Sequence, residues 1–264
     1  MNKTALITGG TSGIGLELAK LFAKDGYKLI IVARDQQELD TTQSLLKQQS
    51  GVEVITIAKD LFNPESAAEL YAEVRAKGIA VDVLVNNAGQ GQYGHFADAD
   101  LQRLLAIIQL NVSSLVALTH PFLNDFIARG EGKILNLSSI ASKVPGPWQA
   151  VYHGTKAFVQ SFTESIRSEV KDKGITVTAL LPGVTDTDFF NKADMNSSKV
   201  VQDKDQMADP ADVAKDGYDA LMSGDDMIVS GMKNKMQVGM AAVTPDSMLA
   251  DSMKKQQEPA KKDK

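Results

Sequence analysis

The chain is expected to fold as a single α/β domain, a doubly wound, mostly parallel sheet with helices on both faces. Short, nearly all-apolar runs recur along it, segments of helical periodicity separate them, and a glycine-rich turn joins the first run to the first helix. With 264 residues, 43% hydrophobic and 23% charged, it can bury one well-packed core.

The elements follow in order. TALIT (4–8) runs into TGGTSGIG (8–15) and a helix over 13–25; KLIIVA (28–33) is followed by a helix over 35–49. VEVITIA (52–58) precedes a helix over 64–77, VDVLVN (81–86) one over 98–128, and GKILNLS (132–138) one over 149–172. GITVTALLP (174–182) is the sixth run. Such runs suit strands covered on both faces, as parallel strands are. Gly26, Gly51, Gly78, Gly130 and Gly174 stand where a helix or connection hands over to a strand.

After Pro182 the pattern loosens into a polar connection of functional-loop length, reaching to Pro210. A helix over about 210–222 and a strand over about 226–229 follow. Met222, Met227, Met232, Met236, Met240, Met248 and Met253 read as core filler and helix face. The domain is expected to cover 1–255. The lysine-rich composition of 256–264 predicts a disordered tail whose removal leaves activity unchanged.

Composition narrows the function. Against 33 acidic residues stand 28 basic ones, a net charge of -5 that offers no footprint for nucleic acid. There is no cysteine and only three scattered histidines, so no metal site is expected. The start MNKTALITGG reads as a strand entering a turn, and no run of about 18 apolar residues occurs. A cytoplasmic protein with no membrane partner is the expectation.

Gly9, Gly13 and Gly15 permit a tight turn and close approach of a pyrophosphate, met by free backbone N–H groups at a helix N-terminus. The second strand ends in Ala33 and Arg34 rather than an acid. An acid there would take the ribose hydroxyls of NAD, whereas an arginine pairs with a 2'-phosphate, so NADP(H) is preferred and NAD(H) is the alternative. Thr11 and Ser12 can donate to the same phosphate.

Further markers arrive in order: DL (60–61), NNAG (86–89), Asn111, LSS (137–139), YHGTK (152–156) and PGVTDT (182–187). With TGGTSGIG they make the chain resemble the short-chain dehydrogenase/reductase family over roughly 3–230, which implies a Rossmann-like fold. The resemblance implies that Gly9, Thr11, Ser12, Gly13, Ile14 and Gly15 form the cofactor turn. It also implies that Asp60 and Leu61 hold adenine, that Asn87, Ala88 and Gly89 line the adenosine ribose and sheet end, and that Pro182, Gly183, Thr185 and Thr187 meet the nicotinamide half. Ser139, Tyr152 and Lys156 would be catalytic, with Asn111 holding a water in the proton relay. Trp148, Val184, Phe189 and Phe190, with Ser139 and Tyr152, would bound the substrate. His95 and His120 are left to packing or surface, and His153 borders the site without a motif role.

Physical chemistry supports the central pair. Positions four apart share a helix face, so Tyr152 and Lys156 can point together. Bringing a phenol from about 10 to about 7 requires about 4 kcal/mol. One ammonium about 4 Å away at an effective dielectric of about 20 supplies a term of that order, so Lys156 is expected to lower Tyr152. The expected activity is hydride transfer between NADP(H) and a small-molecule carbonyl or alcohol, as a ketone or aldehyde reductase. The alternative is a non-catalytic NADP(H)-binding sensor on the same fold, which has no need to keep Ser139, Tyr152 and Lys156 together. A homodimer or homotetramer is expected through the outer faces of the helices at 98–128 and 149–172.

Overall fold

The computed structural model describes residues 3–202 and 207–260. Among the described residues seven strands form one sheet: β1 (Thr4–Thr8), β2 (Lys28–Ala33), β3 (Val54–Ala58), β4 (Val83–Asn86), β5 (Gly132–Leu137), β6 (Ile175–Leu181) and β7 (Met227–Val229). Their order is β3-β2-β1-β4-β5-β6-β7, and all pairings are parallel. Every residue of β1 is buried, because Ala5 is paired with Leu29 on one side and Val83 on the other while helices cover both faces. Strand order reverses between β1 and β4, and a crevice opens there beyond the strands' C-terminal ends.

The helices are α1 (Gly13–Lys24), α2 (Gln36–Ser50), α3 (Ser66–Ala76), α4 (Leu101–Ile108), α5 (Ser114–Arg129), α6 (Ala150–Val170), α7 (Phe189–Lys192), α8 (Pro210–Ser223), α9 (Met232–Ala241) and α10 (Asp246–Gln257). Local signals set their ends. Asp35, Asp100 and Asp209 each accept a bond from a backbone N–H of the first turn. Gly51, Gly130 and Gly224 close α2, α5 and α8 in the left-handed conformation.

Two cores flank the sheet. Leu18 and Phe22 of α1, Leu39 and Leu46 of α2, and Leu221 of α8 fill one; Leu70 of α3, Phe122 and Phe126 of α5, and Ile166 of α6 fill the other. Burying each such side chain contributes about 1.5–3 kcal/mol. Polar groups cross the second core as a chain: the Asn86 amide donates to Asn136 Oδ1 (2.8 Å) and Thr119 Oγ1 (3.0 Å), and the Asn136 amide donates to Thr163 Oγ1 (3.0 Å), while Asn86 Oδ1 is buried without a partner. These bonds lock β4 and β5 to α5 and α6 and so hold the site's supports in register.

Three expectations are corrected. The helix expected over 98–128 is α4 and α5 joined by a π-helical turn, Gln109–Ser113, with Asn111 inside it. The combined segment Leu101–Arg129 is long and apolar enough to cross a membrane, yet Leu110, Leu118, Phe122 and Phe126 are spent on the second core. The methionines are divided: Met222 and Met227 pack against cores, but Met232, Met236, Met240 and Met248 are 62–72% exposed. Spacing of four places Met232, Met236 and Met240 on one outer face of α9.

The tail expectation also changes. Gln256 and Gln257 belong to α10, and Pro259 bridges to Ser198. Ala260 N donates to Ser197 O (2.8 Å). Backbone bonds to a loop some sixty residues earlier hold this segment, which composition cannot reveal. Residues 261–264 of the expected tail lie outside the described residues.

Candidate active site

A cavity of about 770 Å³ occupies the crevice. Its floor is the turn after β1. Gly15 sits where a Cβ would lie 2.2 Å from Gly9 O and 2.4 Å from Asn87 Nδ2, so only glycine fits. The Asn87 amide donates to Thr8 O (2.9 Å) and Gly9 O (2.8 Å), while Thr8 Oγ1 accepts from the N–H groups of Asn87 and Ala88, both at 3.1 Å. The turns after β1 and β4 are thus one rigid cradle. Ser12, Gly13 and Ile14 face the cavity at the N-terminus of α1, and Ser12 makes no capping bond with its side chain. A backbone cradle at a helix N-terminus fits the pyrophosphate of a dinucleotide.

Ser139, Tyr152 and Lys156 converge on this cavity. Ser139 extends from the end of β5, its hydroxyl held by Ala141 N (3.1 Å) and bonded to Pro182 O (3.3 Å). It also reaches the Tyr152 phenol as a hydrogen-bond partner. Tyr152 and Lys156 share a face of α6, with Lys156 Nζ 5.7 Å from the Tyr152 ring centre. Lys156 Nζ donates to Leu137 O (2.7 Å).

The electrostatics differ from expectation. Burial pushes the Tyr152 phenol up to about 12, outweighing the opposing bond from Ser139, and burial pushes Lys156 down to about 8. Lys156 does not lower Tyr152 here, because a lysine pushed down to about 8 has lost its charge before a phenol at about 12 titrates. The phenol is therefore held protonated at neutral pH.

Ala88, Gly89, Pro182, Gly183, Thr185 and Thr187 line the cavity with Gly9, Gly13 and Asn87, and Val184, Phe189 and Phe190 line it as expected for a substrate wall. The Phe189 ring lies 5.1 Å from that of Tyr152. Other expected residues stand back from it. Asn111 clamps the chain after β4: its amide donates to Gln90 O (2.8 Å) and Thr155 Oγ1 (3.0 Å), and its Oδ1 accepts from Gln90 N (2.9 Å). That geometry spends the carboxamide on protein groups.

Leu61 is buried in the second core and Asp60 caps Phe62 N (3.1 Å), so neither side chain lines the cavity. Arg34 is exposed, with its guanidinium 5.9 Å over the Phe62 ring, and Thr11 donates to Glu38 Oε2 (2.9 Å) instead of waiting for a phosphate. Trp148 is displaced from its expected role. Its backbone is left-handed (φ 72), and its ring stacks on Tyr93 and lines a separate cavity of about 300 Å³.

Sequence reasoning missed Gln149, Met195, Met253 and Gln257, and gave His153 no role; all five line the large cavity. The sequence carries no local signal for the C-terminal pair, since they arrive from α10.

A family model described as short chain dehydrogenase matches residues 3–198. The very-long-chain 3-oxoacyl-CoA reductase of Bos taurus is 35% identical over 188 residues, 69% of this chain and 59% of that protein. The chain thus spans well under two thirds of that relative's length. Among solved structures, a short-chain dehydrogenase from Sphingobium yanoikuyae in complex with NADPH is 28% identical with a TM-score of 0.81, over 94% of this chain and 98% of that one. The bulky-bulky ketone specific alcohol dehydrogenase from Comamonas testosteroni is 26% identical with a TM-score of 0.78, over 95% and 98%.

Proposed function

The chain belongs to the short-chain dehydrogenase/reductase family, and from that premise we propose that it is an NADP(H)-dependent reductase of a bulky, partly apolar ketone. The observation that carries the proposal is the convergence of Ser139, Tyr152 and Lys156 on a cavity floored by the Gly9–Gly15 cradle. A bound nicotinamide cofactor supplies the hydride to the carbonyl carbon. The chain's part is to receive the charge on oxygen: Ser139 donates to the carbonyl oxygen, and Tyr152 gives it a proton. A phenol held at about 12 keeps its proton throughout the neutral range and so carries the proton that reduction requires. Lys156, beside Gly89 and Tyr152, is placed to bond the cofactor ribose.

Val184, Phe189, Phe190 and Met195 support an apolar substrate half. A 3-oxoacyl thioester, the substrate in the Bos taurus relative's name, is a ketone of this kind. Preference for NADP(H) rests on Arg34 and on the NADPH complex of the Sphingobium neighbour. The lack of cysteine is compatible with a cytoplasmic location.

One experiment tests the reading: NADPH and NADH oxidation followed against a ketone panel that includes 3-oxoacyl thioesters, for the native protein and Tyr152→Phe. Native turnover, faster with NADPH by about tenfold or more, should fall at least a thousandfold in the variant while NADPH affinity stays within about twofold. Near-native kcat in Tyr152→Phe would exclude this mechanism, and equal rates with both cofactors would remove the NADP(H) preference.

A further inference from the structure

Gln257 is the last residue of α10, lies 4% exposed, and reaches the large cavity from the far end of the chain. Its backbone is fixed from two sides. The carbonyl oxygen accepts from the Tyr93 hydroxyl, on the connection after β4, and from Ser198 Oγ (3.1 Å), on the connection after β6. Neighbouring bonds reinforce the seat: Lys199 N donates to Glu258 O (3.2 Å), and the Lys199 ammonium pairs with the Glu258 carboxylate. The connection after β6 and the end of α10 therefore form one wall.

The side chain extends this wall to the reacting centre. Gln257 Nε2 lies 3.2 Å from His153 Nε2, and His153 Nδ1 lies 2.9 Å from Val144 O. A carbonyl can only accept, so Nδ1 carries the proton and Nε2 accepts from the Gln257 amide. Burial pushes the His153 pKa down, which keeps this neutral tautomer in place. His153 immediately follows Tyr152 and is itself buried on the cavity. The Gln257 Oε1 atom is buried without a hydrogen-bond partner.

We infer that Gln257 is a specificity-determining residue of the substrate pocket, which limits the size of ketone accepted beside Tyr152. This rests on the ketone-reductase reading. The argument is geometric: a buried side chain whose backbone is pinned to both flanking connections cannot swing aside, so its volume bounds the substrate. None of the residues it touches lies in the glycine cradle. Its loss should therefore change substrate choice without changing cofactor binding.

The test compares kcat/KM for a small and a bulky ketone that share the reacting group, in the native protein, Gln257→Ala and Gln257→Met, with NADPH affinity and thermal melts alongside. Gln257→Ala should raise the bulky-to-small ratio about tenfold, mainly through KM for the bulky ketone, with NADPH affinity unchanged. Gln257→Met keeps the volume and loses the amide, so it should retain the native ratio and a native-like KM. It also keeps the inference testable should Gln257→Ala fail to fold, because a shifted ratio in Gln257→Met would overturn the volume argument. An unchanged ratio in a folded Gln257→Ala, or an equal loss of kcat/KM on both ketones, would overturn it too. Native turnover on the panel is scored separately, so failure here leaves the reductase reading standing.

Discussion

Lys156 shows how a side chain legible by spacing acquires its chemistry from surroundings that spacing does not describe. At 6% exposure burial pushes its folded pKa down to about 8, below the ordinary lysine value of 10.5. Between those values the unfolded chain holds a proton that the folded site sheds, so stability rises as pH climbs from about 8 to about 10.5 and is lowest below about 8. Lys156→Met should therefore be more stable than the native protein at pH 7 by roughly 1–3 kcal/mol, allowing for the lost bond to Leu137 O, with the gain gone by about pH 10.5. Urea denaturation at both pH values measures this, and a variant less stable at each would refute the burial argument. The Tyr152–Lys156 pairing was legible because helical periodicity brings the two together. The sign of the Tyr152 shift was not, because it depends on desolvation by groups that the fold supplies.

At the scale of elements, strands were read almost to their ends because runs covered on both faces are mostly apolar; β1 and β2 match their runs throughout. The π-helical turn in the long helix was hidden, since inserting Asn111 into a wider turn changes hydrogen bonding without changing composition. The seat of α10 was equally hidden: Tyr93 is 164 residues from Gln257 in the chain. One helix face suggests assembly. Leu101, Leu105 and Ile108 recur on the outer side of α4 at 59%, 48% and 38% exposure, and Phe158 of the neighbouring α6 is 42% exposed. We propose that this face pairs with a second copy of the chain, in a dimer or tetramer. Light scattering at micromolar concentration should give a multimer for the native protein and a monomer for Leu105→Lys; a monomeric native protein would end the proposal.

The molecule as a whole is organised around a strand that waits for distant partners. β1 lies at the centre of the sheet, yet Ala5 pairs with Val83, and among the described residues no two neighbouring strands are antiparallel. The described strands thus offer no hairpin with which to begin the sheet, and each new pairing must first close a crossover. Contacts so far apart along the chain make the search for the native topology long, so refolding is expected on the scale of milliseconds to seconds or slower. Stopped-flow dilution from urea should show this, and complete recovery within microseconds would contradict it. During that interval the apolar strands that later vanish into the centre stand unpaired, so recovery of activity should fall as protein concentration during refolding rises.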